Sequence, residues 1–308
     1  MPLPEEFHAL ARKVNNWGRW GTEDERGTLN LLTDEAVRRG VAAARTGKRF
    51  SLALPLSQNG PQLGFIPGRI NPIRTMISLN EPLTGDASQV CFSDDMVVMG
   101  VQAATHWDAL AHASYDGRIY NGFGAATVTA AGAARCGIDK AGPILGRGVL
   151  LDVARALGVE RLDSGYAISS DDLSAAADLA GVAVEPGDLV LVRTGQMRLL
   201  HAGDKMGYLA PVAGLSLRSV EWMREHDVAA AATDTVVFEV FPWERDDAPL
   251  PVHLLHLVEM GLTQGQNFDL EALAADCADD GIYTFFLSAT PEPLANGLGG
   301  MVAPVAIK

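Results

Sequence analysis

Between Thr105 and His112 the chain reads Thr-His-Trp-Asp-Ala-Leu-Ala-His, two imidazoles and a carboxylate within seven residues of otherwise apolar and small side chains. Burying such a set is costly unless something pairs with it. A divalent metal is the simplest partner, because neutral imidazole and carboxylate are both good ligands for zinc or manganese. In an extended segment His106, Asp108 and His112 differ by even numbers and project from one face, whereas a helix would spread them around its axis. The spacing points to a strand or extended loop carrying a metal or catalytic site. A hydrogen-bonded His–Asp couple with a purely structural role is the alternative.

Other residues could join that chemistry. His253 and His256 stand three apart in a predicted helix and share a face, with His256 reading more readily as a packed histidine. Gln264 and Gln266 follow in a turn-like run that closes on Asn267-Phe268-Asp269. Asp234 ends an apolar run and Glu239 lies five residues on; acids in such places line sites or cap backbone. Arg193 ends a similar run, where it could hold a substrate carboxylate or neutralise an acid. Trp107, Tyr115, Tyr120 and Phe65 could wall an apolar pocket. The chain has no GxSxG elbow, no GxxxxGK[ST] loop, no GxGxxG opening a helix and no HExxH, so serine-hydrolase and nucleotide-dependent chemistry lack their usual parts.

These residues need elements to hold them. Asp34 to Gly47 reads as a helix and Phe50 to Leu56 as a strand. Residues 57 to 75, rich in Gly, Pro, Asn and Gln, read as a long loop of the kind that often lines a site. Met96 to Ala104 is apolar and extended, feeding the histidine segment. Strands are expected at 148–153, 188–193, 228–233 and 283–289. Helices are expected at 169–181, 216–226, 252–260 and 270–279. Strands and helices alternate without a repeat or a low-complexity linker, so the whole of 1–308 reads as one α/β domain, with residues 1–50 an N-terminal arm and helix packed on it.

Composition sets the outer bounds. With 48% hydrophobic residues the chain can build a large core. Its formal charge of −14 argues against a nucleic-acid partner and against an anionic membrane surface. Cys91, Cys136 and Cys277 are odd in number, widely spaced and without a CxxC, which suits reduced, ordinary thiols. No secretory signal is visible at the N-terminus and no run of 18 apolar residues occurs. A cytoplasmic protein acting on a small molecule is the expectation.

At Gln102-Ala103-Ala104-Thr105-His106-Trp107-Asp108-Ala109-Leu110-Ala111-His112 the chain resembles the "putative cyclase" family of metal-dependent hydrolases, whose pattern is HxGTHxDxPxH. Asn16 to Gly21, Gly27 to Asn30, Asp116 to Gly122, Arg193 to Gly195 and Gly261 to Asp269 resemble the family's longer branch, which covers most of the chain. The resemblance implies a swivelling β/β/α fold, a homodimer or homotetramer, and hydrolysis of an amide, formamide or cyclic amide at one or two divalent ions. It implies His106 and Asp108 as ligands of the first metal, and His112 as a second-metal ligand or proton-transfer group. His253 matches the later histidine, one residue further from Gly261 than the pattern has it, with His256 the fallback.

Two departures stand out. Gln102 replaces the family's first histidine and Gln266 its late bridging glutamate. A neutral amide oxygen can ligate a metal but is poorly suited to bridging two cations, so one weakly held zinc or manganese is expected, with Gln102 and Gln266 as neutral ligands. His112 or His253 would then move protons for a metal-activated water. A metal-free site using His112, His253 and Asp108 for lactone hydrolysis, dehydration or cyclisation is the second reading, and a non-catalytic binding protein the third.

Overall fold

Three runs of apolar residues form the middle of the molecule because they are buried on both faces. The structure, a computed structural model, describes residues 3–308; residues 1 and 2, the start of the segment read for a leader, lie outside them. Its main sheet has nine strands: Arg49–Ser51 (β1), His106–Asp108 (β2), Leu145–Asp152 (β3), Leu189–Arg193 (β4), Ala230–Thr233 (β5), Thr263–Gln266 (β6), Thr284–Ser288 (β7), Gly299–Met301 (β8) and Val305–Ile307 (β9). They lie in the order β1-β9-β7-β3-β4-β5-β6-β2-β8. The four central strands β3 to β6 run parallel and the pairs outside them antiparallel.

Alternate residues of the central strands feed two cores. Val149, Leu151, Val190 and Val192 face Phe7, Leu173, Met223 and Leu255, whereas Leu150, Leu189, Leu191 and Ala232 face Leu273, Cys277 and Phe285. Burial on both faces is why these strands read as continuous apolar runs without alternation. The fold class expected from the sequence, α/β, is the observed one.

Local signals set several helix ends. Ser169 and Asp172 form a capping box at the start of Ser170–Ala180, and Gly181 closes it at φ 61°. The helix expected from residue 34 to 47 spans Asp34–Ala43. It packs on β3 so closely that a side chain at Gly40 would fall 2.3 Å from the Gly146 carbonyl carbon.

Three stretches differ from expectation. The loop expected over 57–75 and the extended run over 96–104 each contribute a strand to a hairpin in which Ile73–Met76 pairs antiparallel with Asp95–Val98, every residue of both strands exposed. Residues 99–105 then turn before β2 begins. The helix expected over 252–260 is one α turn, Pro251–His253, followed by a π-helix over Leu254–Met260 that Gly261 ends at φ 66°. A π turn takes up more residues than an α turn, which suits the longer-than-expected spacing between His253 and Gly261. The long-range pairing and packing that produced these elements left no periodic signal in the chain.

Candidate active site

Strand β2 is three residues long, and its pleat sends His106 and Asp108 to one face and Trp107 to the other. All three are fully buried. The His106 Nδ1–H donates to the Ala104 carbonyl at 2.8 Å, which leaves Nε2 with the free lone pair. That Nε2 lies 3.5 Å from Asp108 Oδ1, and neither atom has a hydrogen-bond partner. An orphaned buried polar atom costs about 1–3 kcal/mol, so two orphans facing each other call for a third group.

His112 arrives by a turn. Its backbone N–H donates to the Ala109 carbonyl, and the chain folds back until His112 Nε2 is 3.8 Å from Asp108 Oδ1. The expectation that the pleat alone would align all three residues is thus corrected, because β2 ends at Asp108. His112 is partly exposed, unlike the fully buried His106 and Asp108.

Gln266 on β6 pairs with His106 across the sheet and donates its amide to Asp108 Oδ2 at 2.6 Å. Two oxygens at that distance would repel, so the amide N–H is the group that faces the carboxylate. Gln102 lies against Gly299, which pairs with Asp108 on the other side of β2; a side chain on Gly299 would fall 2.7 Å from its amide nitrogen. No hydrogen bond joins Gln102 to His106 or Asp108 among the described residues.

His253 belongs to the same group, near enough for its charge to be felt at Asp108 and His112. Its Nδ1 is 2.5 Å from Glu239 Oε1, leaving Nε2 as the free nitrogen. Burial draws its pKa down, but the Glu239 carboxylate outweighs this and the net shift is upward. Burial pushes the Asp108 carboxyl up, while His112 and His106 more than reverse it, so the carboxylate form is strongly favoured. For His112 the pull of Asp108 is overcome by burial and by the neighbouring His253, His106 and Arg69, and its pKa falls.

Arg69 was not singled out from the sequence. It lies in the 57–75 loop, with its guanidinium near enough to Asp108, His112 and His253 to affect all three, and burial lowers its pKa. The only pointer to it was the loop itself, since a lone arginine among glycines and prolines has no distinctive spacing.

Several expected site residues lie elsewhere. Trp107 packs on Phe268 in the core and donates its indole N–H to the Ala289 carbonyl. Tyr120 is buried against Gly261 and donates to Asp24. Tyr115 hydrogen-bonds Glu259 and lines a separate cleft of about 350 Å³ with His8, Arg12 and Asn15. Phe65 is 61% exposed on its loop. Arg193 is held between Asp152 and Glu271 and has a structural ion-pairing role. Asp234 accepts hydrogen bonds from the backbone of Thr194 and Gly195, and burial raises its pKa to about 6. His256 packs edge-on to Phe238 beside Gln264, its pKa pushed down to about 3 by burial. Aromatic and charged residues satisfy core and caps as readily as sites, and only packing separates the two uses. The thiols of Cys136 and Cys277 are pushed up to about 12 by burial, which favours the neutral thiol.

The donors can be tested against a divalent ion. Among the described residues no three His, Cys, Asp or Glu side chains close on one point as they stand. The orphaned pair nevertheless fits: two ligands each about 2.1 Å from one ion lie about 3–3.5 Å apart, the separation seen between His106 Nε2 and Asp108 Oδ1. His106, Asp108 and His112 would hold the ion. Asp108 Oδ2, already facing an amide N–H, is poorly placed to bridge a second.

Comparison with known proteins agrees with this architecture. Residues 50–240 match a family model described as "Putative cyclase", a span that includes the histidine segment and stops short of His253. No curated protein matches. Among solved structures, one described as a novel cyclase is 36% identical with a TM-score of 0.88, covering 97% of this chain and 99% of its own. Isatin hydrolase A from Ralstonia solanacearum is 21% identical, TM-score 0.61, over 84% of this chain and 91% of that one. A predicted metal-dependent hydrolase from Bacillus stearothermophilus is 15% identical, TM-score 0.53, over 84% and 97%. At such identities the last two share the fold. The family match over most of the chain, with a near full-length relative above 30% identity, establishes that this protein belongs to the putative cyclase family.

Proposed function

We propose that this protein is a hydrolase that uses one divalent ion, zinc or manganese, to cleave a C–N bond in a small cyclic or aromatic amide or formamide. The observation that carries the reading is the pair of buried, partnerless atoms His106 Nε2 and Asp108 Oδ1, 3.5 Å apart. The isatin hydrolase and metal-dependent hydrolase among the structural relatives support the reaction class. A bound ion would supply a more acidic water and a polarised carbonyl. The rest is done by side chains. His106 and Asp108 hold fixed orientations through Ala104 and Gln266. His253 takes the proton of the attacking water at Nε2 and returns it to the leaving nitrogen. Arg69 faces the same space and suits the carboxylate that ring opening of a cyclic amide releases.

Elemental analysis of protein purified without chelator or metal resin tests the site. About one zinc or manganese per chain is expected, lost in His106→Ala and Asp108→Ala, together with turnover of isatin-like amides or aryl formamides. Full metal content in both variants would sink the assignment. The lack of a preformed three-ligand cluster favours one other reading, metal-free acid–base chemistry by His112, His253 and Asp108. Turnover that survives exhaustive chelation would decide for it.

We further infer that the working form is a homo-oligomer. Ten large apolar side chains between Ile73 and Val98 stand 37–69% exposed, on the hairpin strands and the segment that joins them. Monomeric proteins rarely leave such a patch in water, and an isolated hairpin is marginal alone. A surface needing permanent cover is best met by a partner always present, a second copy of the chain. No helix among the described residues is long and apolar enough to cross a membrane. The three free cysteines support a cytoplasmic place of action.

A further inference from the structure

The segment that carries His253 is irregular at both ends. Leu250 lies at φ 52°, in the left-handed region that a leucine rarely adopts, and the backbone widens to a π-helix directly after His253. Strain of that kind persists only where surrounding contacts impose it. Glu239 supplies them from 14 residues upstream. Its Oε2 accepts from the Val252 N–H at 3.1 Å, and its Oε1 accepts from the His253 backbone N–H at 2.9 Å and from Nδ1–H at 2.5 Å. One carboxylate thus fixes both the backbone and the ring of one residue.

Capping alone does not explain the choice of a glutamate. Glu239 is 1% exposed, and among the described residues no lysine or arginine pairs with it. A buried carboxylate without a cation is expensive, whereas a serine or aspartate next to the helix would cap it locally. The one side chain Glu239 hydrogen-bonds is His253, whose charge is felt at Asp108.

We propose that Glu239 is a positioning residue that holds His253 as the Nδ1–H tautomer, with Nε2 presented to the His106–Asp108 cleft for proton transfer. The proposal rests on the hydrolase reading for its chemistry, but the tautomer can be measured without any substrate. Side-chain NMR of the 15N-histidine-labelled, zinc-loaded protein should show His253 protonated at Nδ1, and Glu239→Gln should shift that signal while metal content stays unchanged. In a substrate assay Glu239→Gln should lower kcat about 10- to 100-fold with KM within about twofold, the range typical for partners that orient a reacting histidine. The same substitution in a His253→Ala background should cost nothing further, because Glu239 acts through that ring. If Glu239→Gln does not fold, Glu239→Asp takes its place in both backgrounds. An unchanged tautomer, or an equal loss of kcat with and without His253, overturns the proposal. If no substrate is turned over, the hydrolase reading fails while the NMR result still decides the positioning role.

Discussion

Gln266 gives one oxygen of Asp108 an N–H to bond and leaves the other bare, so the two halves of a single carboxylate serve different purposes. A neutral amide here holds the carboxylate in place as a cation would, without adding charge. Replacing it with glutamate places two carboxylates at hydrogen-bond distance, where like charges repel unless a cation lies between them. Gln266→Glu is therefore expected to take up more than one metal per chain on titration, read by elemental analysis after desalting. A stoichiometry that stays at one in the variant would remove Gln266 as the reason for a single-ion site. The substitution itself was visible in the sequence, where glutamine stands in place of a bridging glutamate. The direction of its amide was not, because donor and acceptor ends differ only once Asp108 is folded against it.

At the scale of elements, the turn from Leu250 to Gly261 decides which histidine faces the cleft. Two histidines three apart on a regular helix would share a face, but the π turn rotates them apart. His253 reaches Glu239 and the cleft, while His256 is buried against Phe238. Burial pushes the His256 pKa down to about 3, below its ordinary value of about 6.5. A depressed folded-state pKa means that the neutral ring's stabilisation is complete above about pH 6.5 and is lost progressively as pH falls toward 3. The slope approaches about 1.4 kcal/mol per pH unit within that window. His256→Leu should flatten the fall in Tm between pH 7 and pH 4.5, measured by thermal melts at closely spaced pH. Parallel pH profiles for the two proteins would show that His256 is not the group responsible. The helix at Ser170–Ala180 was readable to within a residue because cap and stop are local, whereas the π-helix answers to tertiary contacts and leaves no local signal.

On the scale of the whole molecule, the hairpin of Ile73–Met76 and Asp95–Val98 rises from the loop that carries Arg69 and from the run that leads into His106. Its apolar residues are exposed on both faces, since Met96, Val97 and Val98 are consecutive and all about half-exposed. A second copy covering that arm would also border the cleft. Light scattering coupled to size exclusion is expected to give a dimer or larger assembly. Val97→Glu with Phe92→Glu should shift it toward monomer without loss of bound metal. A wild-type monomer at micromolar concentration would end the oligomer reading.

The α/β class, the central strands and the segment proposed to carry the chemistry were legible in the chain itself, because each depends on residues near one another in sequence. Short Val- and Leu-rich runs bounded by turn residues read as buried strands, and His106 and Asp108, two apart on a strand, must share a face. Only the tertiary structure decided which distant groups meet them. Gln266, His253, Glu239 and Arg69 reach the cleft through sheet order, a π turn and a loop, and it was packing that assigned Trp107, Tyr120 and Arg193 to the core. Composition treats a core tryptophan and a pocket tryptophan alike; the difference lies in which face of the strand has a cleft beside it, and that depends on neighbours more than a hundred residues away.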